Sequence, residues 1–276
     1  MKVSILVALA VLSPLIFSAE PSEVQVLAKN LRSPDKEIRR RAIELAANLG
    51  PKAKPASEAL LDVILEDDNE DIASKAKGVA EVVLDVKSSD LDAMLSQRSH
   101  LNEAYAKVAC NKIFCAQISY WNTDAIQEFA QSLNGTGETG LYSEGATRKR
   151  PNFIPRALAQ AEGEPKQGFG FRGYRFKLLK EQGDHAPGGA KSFVADGKLI
   201  YGYAVIAYPC AYRRSGTSTY VIDHSGKIRF KDLGTDTDSI VKSMAKYNPD
   251  FTWDLYIEPK EKFKDAEKKD ELKIDD

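Results

Sequence analysis

Cys210, Asp223 and His224 are the residue types from which a hydrolase assembles a nucleophile, an orienting acid and a general base. No nucleophile-elbow pattern surrounds Cys210. Asp223, His224, Ser225 and Gly226 instead have the Asp-first, Gly-last composition of a hairpin turn. A turn accounts for both polar residues without chemistry, so a Cys210/His224 hydrolase is the alternative reading and not the leading one.

Other candidates fail on spacing. The run from Gly183 to Ser192 holds the residue types of a phosphate-binding loop, but Ala190 separates Gly189 from Lys191. A strand-like segment follows where such a loop must open a helix. His100, His185 and His224 are far apart, and no H-x-x-x-H or C-x-x-C pair exists. The acidic run Asp67 to Asp71 lacks the glycine and terminal Glu of a calcium loop and reads as a solvated turn. Arg148 to Arg150 and Arg213-Arg214 are small basic patches that read as ordinary surface. No catalytic, cofactor-binding or metal-binding residue is assigned, and no small-molecule ligand is expected. Lys plus Arg number 39 against 40 Asp plus Glu, a net charge of -1 that argues against nucleic acid as a partner.

Three thiols remain: Cys110, Cys115 and Cys210. Residues five apart on a helix point about 140° apart, so Cys110 and Cys115 are poor mates. Either Cys210 bridges Cys110 or Cys115, or all three stay reduced.

The compartment is read from the start of the chain. Met1 and Lys2 precede a charge-free, mostly apolar run that stops at Glu20, the layout of a cleaved signal peptide over residues 1–19. An uncleaved N-terminal anchor is the alternative. The rest of the chain, 43% hydrophobic and 29% charged within 276 residues, has an ordinary globular composition for about two domains.

Residues 20–97 read as helices that repeat. Leu31, Ile38, Ala42 and Ala46 align with Leu65, Ile72, Ala76 and Ala80, with Pro34 and Asp35 in a turn and Gly50-Pro51 at the joint. This region resembles HEAT repeats, whose second helix opens with an Asp-x-x-(Val/Ile)-Arg pattern, here Asp35, Ile38 and Arg39. The second copy places Ala73 where that Arg belongs. A small helical bundle is the plainer reading of the same residues.

A long helix is expected from residue 98, with Leu101, Tyr105, Val108, Ala109, Ile113, Ala116 and Tyr120 on a buried face widened by Phe114, Ile118 and Trp121. Asp124 suits the cap of a further short helix ended by Asn134-Gly135. A loop with one short helix near Ala157 to Ala161 comes next. Strands are expected at Tyr174–Leu178 and Leu199–Pro209, with a hairpin joining Tyr220–Ile222 to Ile228–Phe230. A helix over Thr235–Asn248, stopped by Pro249, closes the domain at 258, and residues 259–276 form a charged tail. The expected fold is α+β: a HEAT-like helical repeat pair, then a long helix packed on an antiparallel sheet.

One ordered set of residues is specific. Gly173, Tyr174, Phe176, Leu178, Gln182-Gly183, Ala186 to Ala190, Gly202 to Ala204, Tyr208-Pro209, Lys231 to Gly234, Asn248 to Asp250 and Trp253 resemble the domain of unknown function 2950 over roughly Ala116–Tyr256. That resemblance implies a secreted bacterial, pseudopilin-like domain without known activity or site residues. Cys210 departs from it, standing where a small residue such as Ala is expected. The expected function is a non-catalytic structural or protein-interaction role in the bacterial envelope, periplasmic or secreted, with a protein partner engaged by the helical repeats. A hydrolase of envelope material and an anchored assembly factor are the alternatives.

Overall fold

Ser22 opens the first helix: its hydroxyl accepts from the Gln25 N–H, and the Gln25 carboxamide accepts from the Ser22 N–H. The computed structural model describes residues 22–258 apart from 124–126, 137–138, 149 and 164–168. The expected signal segment, the charged tail and the Asp124 cap lie outside the described residues.

Helix α1 (Glu23–Leu31) pairs with α2 (Lys36–Leu49), which Asp35 caps through the Glu37 N–H at 2.8 Å. A 3-10 turn over Gly50–Ala56 leads to α3 (Ser57–Glu66), paired with α4 (Glu70–Leu84), which Asn69 caps through the Ile72 N–H at 3.1 Å. α1 lies beside α3 and α2 beside α4, so the pairs stack around buried Leu27, Leu31, Ala46, Leu60, Ile72 and Ala80. Ile38 and Ile72, equivalent in sequence, differ: Ile72 is 1% exposed and Ile38 40%. In a stack that position meets the preceding unit, and α2 has none among the described residues.

Helix α5 (Ser88–Thr123) runs 36 residues without a break. It begins ten residues before the expected start, so the sequence boundary at 97/98 falls inside it. Its first turns carry Leu91 and Leu95 into the helical unit, and its second half carries Ala109, Ile113, Ala116 and Tyr120 into the sheet core. The helix thus belongs to both units. Leu101, Val108 and Ile118, expected on the buried face, are exposed, and the core side is widened by Ala106, Cys110 and Gln117 instead.

No helix forms over the described residues 127–134 of the short helix expected before Asn134; the segment is extended and ends as a strand. β1 (Ser132–Asn134) pairs in parallel with β2 (Gly140–Tyr142). Tertiary contacts override the helical propensity there: the buried Gln117 carboxamide accepts from the Ala130 N–H at 2.8 Å and donates to its carbonyl at 3.0 Å, and Phe129 bridges Leu199. Helix α6 (Arg156–Gln160) lies where a short helix was expected.

β3 (Tyr174–Leu179) is followed by the two-residue strands β4 (Glu181–Gln182), β5 (Lys191–Ser192), β6 (Val194–Ala195) and β7 (Lys198–Leu199). β8 (Ala204–Pro209), β9 (Ser218–Asp223) and β10 (Ile228–Asp232) come next, then α7 (Thr237–Ser243) and β11 (Asp254–Leu255). The main sheet is antiparallel in the order β11-β10-β9-β8-β3. Tyr174, Phe176, Val205, Ala207, Tyr220 and Ile222 face α5; Leu179, Ala204, Ile206, Tyr208 and Val221 face α7 and Tyr247. β8 is buried throughout, which is why its sequence is apolar without alternation. It begins at Ala204 rather than Leu199 because Gly202, at φ +139°, breaks the run under His224, whose Nδ1 would lie 2.6 Å from any Cβ there.

α7 is shorter than its sequence promises. Met244 is already extended, and Tyr247 is captured by β4: its N–H donates to Glu181 and its carbonyl accepts from Gly183, both at 2.9 Å. Two sheet hydrogen bonds outcompete the last helical turn. The fold is mixed α+β, with helices and a five-stranded antiparallel sheet.

Candidate functional site

The thiol–imidazole pair of the alternative reading does not form. The His224 N–H donates to the Tyr203 carbonyl just before β8, whereas Cys210, seven residues on, follows the far end of that strand. At about 3.3 Å per residue the two are roughly 23 Å apart along the strand. His224 packs edge-on against Phe193 at 5.4 Å. Asp223 accepts from the Ser225 N–H at 2.9 Å, closing the hairpin turn. No disulfide forms either: Cys110 and Cys210 are buried, Cys115 is exposed, and all three are free. The Cys210 sulfur faces the Glu66 carboxyl at 3.8 Å.

Glu66 marks the place where helical unit and sheet unit meet. It ends α3, is 6% exposed, and accepts from the Gly170 N–H at 3.1 Å and the Gly173 N–H at 3.0 Å. Burial pushes its carboxyl up to about 8; neighbouring Asp62 adds to the rise, while the two amides and Arg98 oppose it. Burial also pushes the Cys210 thiol up, and Glu66 adds to that. Both groups are driven toward their protonated forms, the opposite of what activates a thiol nucleophile.

The loops on either side fix this junction. Arg39 clasps Asp67 in a buried bidentate pair, Nε to Oδ2 at 2.7 Å and Nη2 to Oδ1 at 3.0 Å, and donates to the carbonyls of Ser33 and Pro34. Arg214 reaches from the sheet unit to the carbonyls of Ile64 and Asp67. Asn102 donates to the Ser215 carbonyl, and Glu103 accepts from the N–H groups of Thr217 and Ser218. Asp67 is therefore a buried anchor rather than a solvated turn residue, and Arg214 a strut rather than free surface. Arg150 likewise stacks over the Tyr120 ring at 4.8 Å.

Two clefts flank Glu66, of about 440 and 500 Å³. In the first, Arg175 lies 3.5 Å from Asp238, which also pairs with Lys242 at 3.0 Å. The Arg175 Nε is buried without an acceptor. In the second, Arg98 bridges Glu58 and Asp62 at 2.5 and 2.7 Å, and Asp62 also accepts from Arg32. Both clefts are polar, with their charges largely paired inside the molecule. Among the described residues no group of three or more His, Cys, Asp or Glu could hold a metal ion. Within the Gly183–Ser192 segment, residues 183–190 are the turn between β4 and β5, held by the Gln182 carboxamide on the carbonyls of Pro187 and Gly189. Sequence reasoning had singled out Arg39 only as a motif residue, and Glu66 and Arg175 carried no signal of their own.

The sequence pattern of the family described as Protein of unknown function (DUF2950) matches residues 76–255, well over half of the chain. The chain belongs to this family. No curated protein and no solved structure matches it. The DUF2950 segment starts within α4, about forty residues before the expected limit at Ala116, and takes in all of α5 and the sheet. Gly170, Gly173, Arg175, Cys210 and Arg214 lie within it; Arg39, Glu66 and Asp67 precede it. The Glu66 junction is thus built half from DUF2950 residues and half from the helices in front.

Proposed function

We propose that the chain is an exported, non-catalytic module of the bacterial envelope whose helical unit engages a protein partner. The observation that carries this reading is the exposure of large apolar side chains on the paired helices: Ile38 at 40% and Leu45 at 36% on α2, Val82 at 57% on α4. Exposed apolar side chains on neighbouring helices suit a protein surface better than solvent. The stacking of α1–α2 on α3–α4 supports a HEAT-like repeat pair, and the long helix on an antiparallel sheet supports a pseudopilin-like DUF2950 domain. Polar struts from Arg214, Asn102 and Glu103 hold the helices against the sheet, so a partner meets a rigid platform. The apolar run before Glu20 supports export.

The test is a pull-down from solubilised envelope with the wild-type chain, an I38K/L45K/V82K variant and a Phe251→Lys control. A protein retained by wild type and control but lost with the triple variant supports the reading. The same set of proteins recovered by all three would sink it. Mass spectrometry of the mature N-terminus checks export and cleavage.

A further inference from the structure

The face of α5 turned away from the sheet carries a regular pattern. Met94, Leu101 and Val108 are 40%, 49% and 50% exposed, and Cys115 is exposed as well; each lies seven residues beyond the last. Ala104 and Ile118, three residues after Leu101 and Cys115, are exposed too, and Gln97 and Asn111 occupy the same intermediate position in the other two heptads. This is the a/d alternation of a two-helix coiled-coil seam. The core-facing residues Ala106, Ala109, Ile113, Ala116 and Tyr120 lie on the opposite side of the helix, so the seam is no fringe of the core. None of its eight residues is charged, in a chain where 29% are.

We propose that this face of α5 is a self-association surface on which two copies of the chain pair parallel and in register. An identical helix suits the seam for two reasons. Gln97 and Asn111, exposed on the free helix, need a partner for a carboxamide once the face is covered, and a second copy in register presents another carboxamide at the same layer. An uncharged seam also brings no like charges together on the two-fold axis. The stripe drifts by about 20° per heptad on a straight helix, so the two copies cross at roughly +20°.

Size sets the strength. Twenty-five residues span about 37 Å, and a strip one helix wide, about 11 Å, covers roughly 400 Å² per copy. The total of about 800 Å² lies below the roughly 1,200 Å² at which stable specific interfaces begin, so the pairing is weak and reversible. Lys112 at the rim faces the second copy's Lys107, a like-charge contact that weakens it further. Lys107 is drawn aside by the rings of Tyr220 and Tyr256, at 5.5 and 4.9 Å. This seam is distinct from the α2 and α4 surface, so either proposal can fail alone.

Sedimentation equilibrium of the full chain from about 10 μM to 1 mM is expected to show a monomer–dimer equilibrium that Val108→Lys weakens at least tenfold. Leu101→Ser gives a second, milder reading, and thermal melts confirm that both variants fold. Phe251→Lys, at a 98% exposed site elsewhere, leaves the equilibrium unchanged. A short-spacer bismaleimide joins two copies through Cys115, and Cys115→Ser abolishes that product. A chain monomeric up to about 1 mM overturns the proposal, as does a dimer indifferent to Val108→Lys or one that Cys115 cannot cross-link.

Discussion

The Glu66 carboxyl, at the end of α3, accepts the Gly173 amide hydrogen at 3.0 Å and so ties the helical unit to the first turn of the sheet unit. With its carboxyl held at about 8 against 4.5 for the free group, the folded chain keeps a proton that the unfolded chain gives up. The stability that this one group contributes is fully present below pH 4.5 and is lost as pH rises from there through 8, by roughly 4 to 5 kcal/mol in total. Urea midpoints should therefore fall between about pH 5 and 9, beyond what surface groups contribute. In Glu66→Gln that slope should disappear, although the variant starts lower because a carboxamide nitrogen cannot accept one of the two amide bonds. An identical slope in both proteins would show that Glu66 does not titrate in this range.

Arg39 and Asp67 form the second tie, and both are nearly dry, 5% and 1% exposed. Arg39→Ala strands a buried carboxylate and leaves the Ser33 and Pro34 carbonyls without their donor, so a loss of about 3–5 kcal/mol is expected. Arg39→Lys keeps the charge but not the two-pronged geometry and should fall between. Urea unfolding of the three proteins decides the matter; a loss below about 1 kcal/mol in Arg39→Ala would mean that Asp67 has found water.

What the sequence disclosed was local. The Pro34–Asp35 turn is legible because a turn is set by residues two or three apart, and the Asp223–Gly226 hairpin turn is legible for the same reason. β8 is legible as a buried strand from its composition alone. What stayed hidden was set by distant partners. Phe129 to Leu133 has helical periodicity, yet Gln117, thirteen residues before Ala130, holds it extended. Glu66 reads as the polar side of an amphipathic helix, and only the docking of residues 169–173 buries it. The Asp67 turn looks solvated until Arg39, twenty-eight residues earlier, folds over it. The Cys210/His224 pair failed because antiparallel β8 and β9 carry the two residues to opposite ends.

Thiol chemistry separates the three cysteines. Burial pushes Cys110 up to about 12 and raises Cys210 as well, whereas Cys115 is exposed on α5. An aromatic disulfide reagent should titrate one thiol per native chain within minutes and three after denaturation. Non-reducing electrophoresis should show no intrachain bridge. Two fast thiols, or fewer than three in denaturant, would contradict this arrangement.

Gly173 offers the sharpest test of the junction. Its φ of +78° disfavours any side chain, and a Cβ there would lie 2.3 Å from the Asn102 Nδ2. Asn102 is not free to move, since it donates to the Ser215 carbonyl at 3.1 Å. Gly173→Ala should therefore combine backbone strain with a lost buried hydrogen bond, about 2–4 kcal/mol together. Gly189 has a similar φ of +73° but open space around its Cβ direction, so Gly189→Ala should cost only about 1 kcal/mol. Urea denaturation of both variants separates strain from crowding. Equal losses would mean that Asn102 yields without penalty and that the turn at Gly173 is no tighter than an ordinary surface loop.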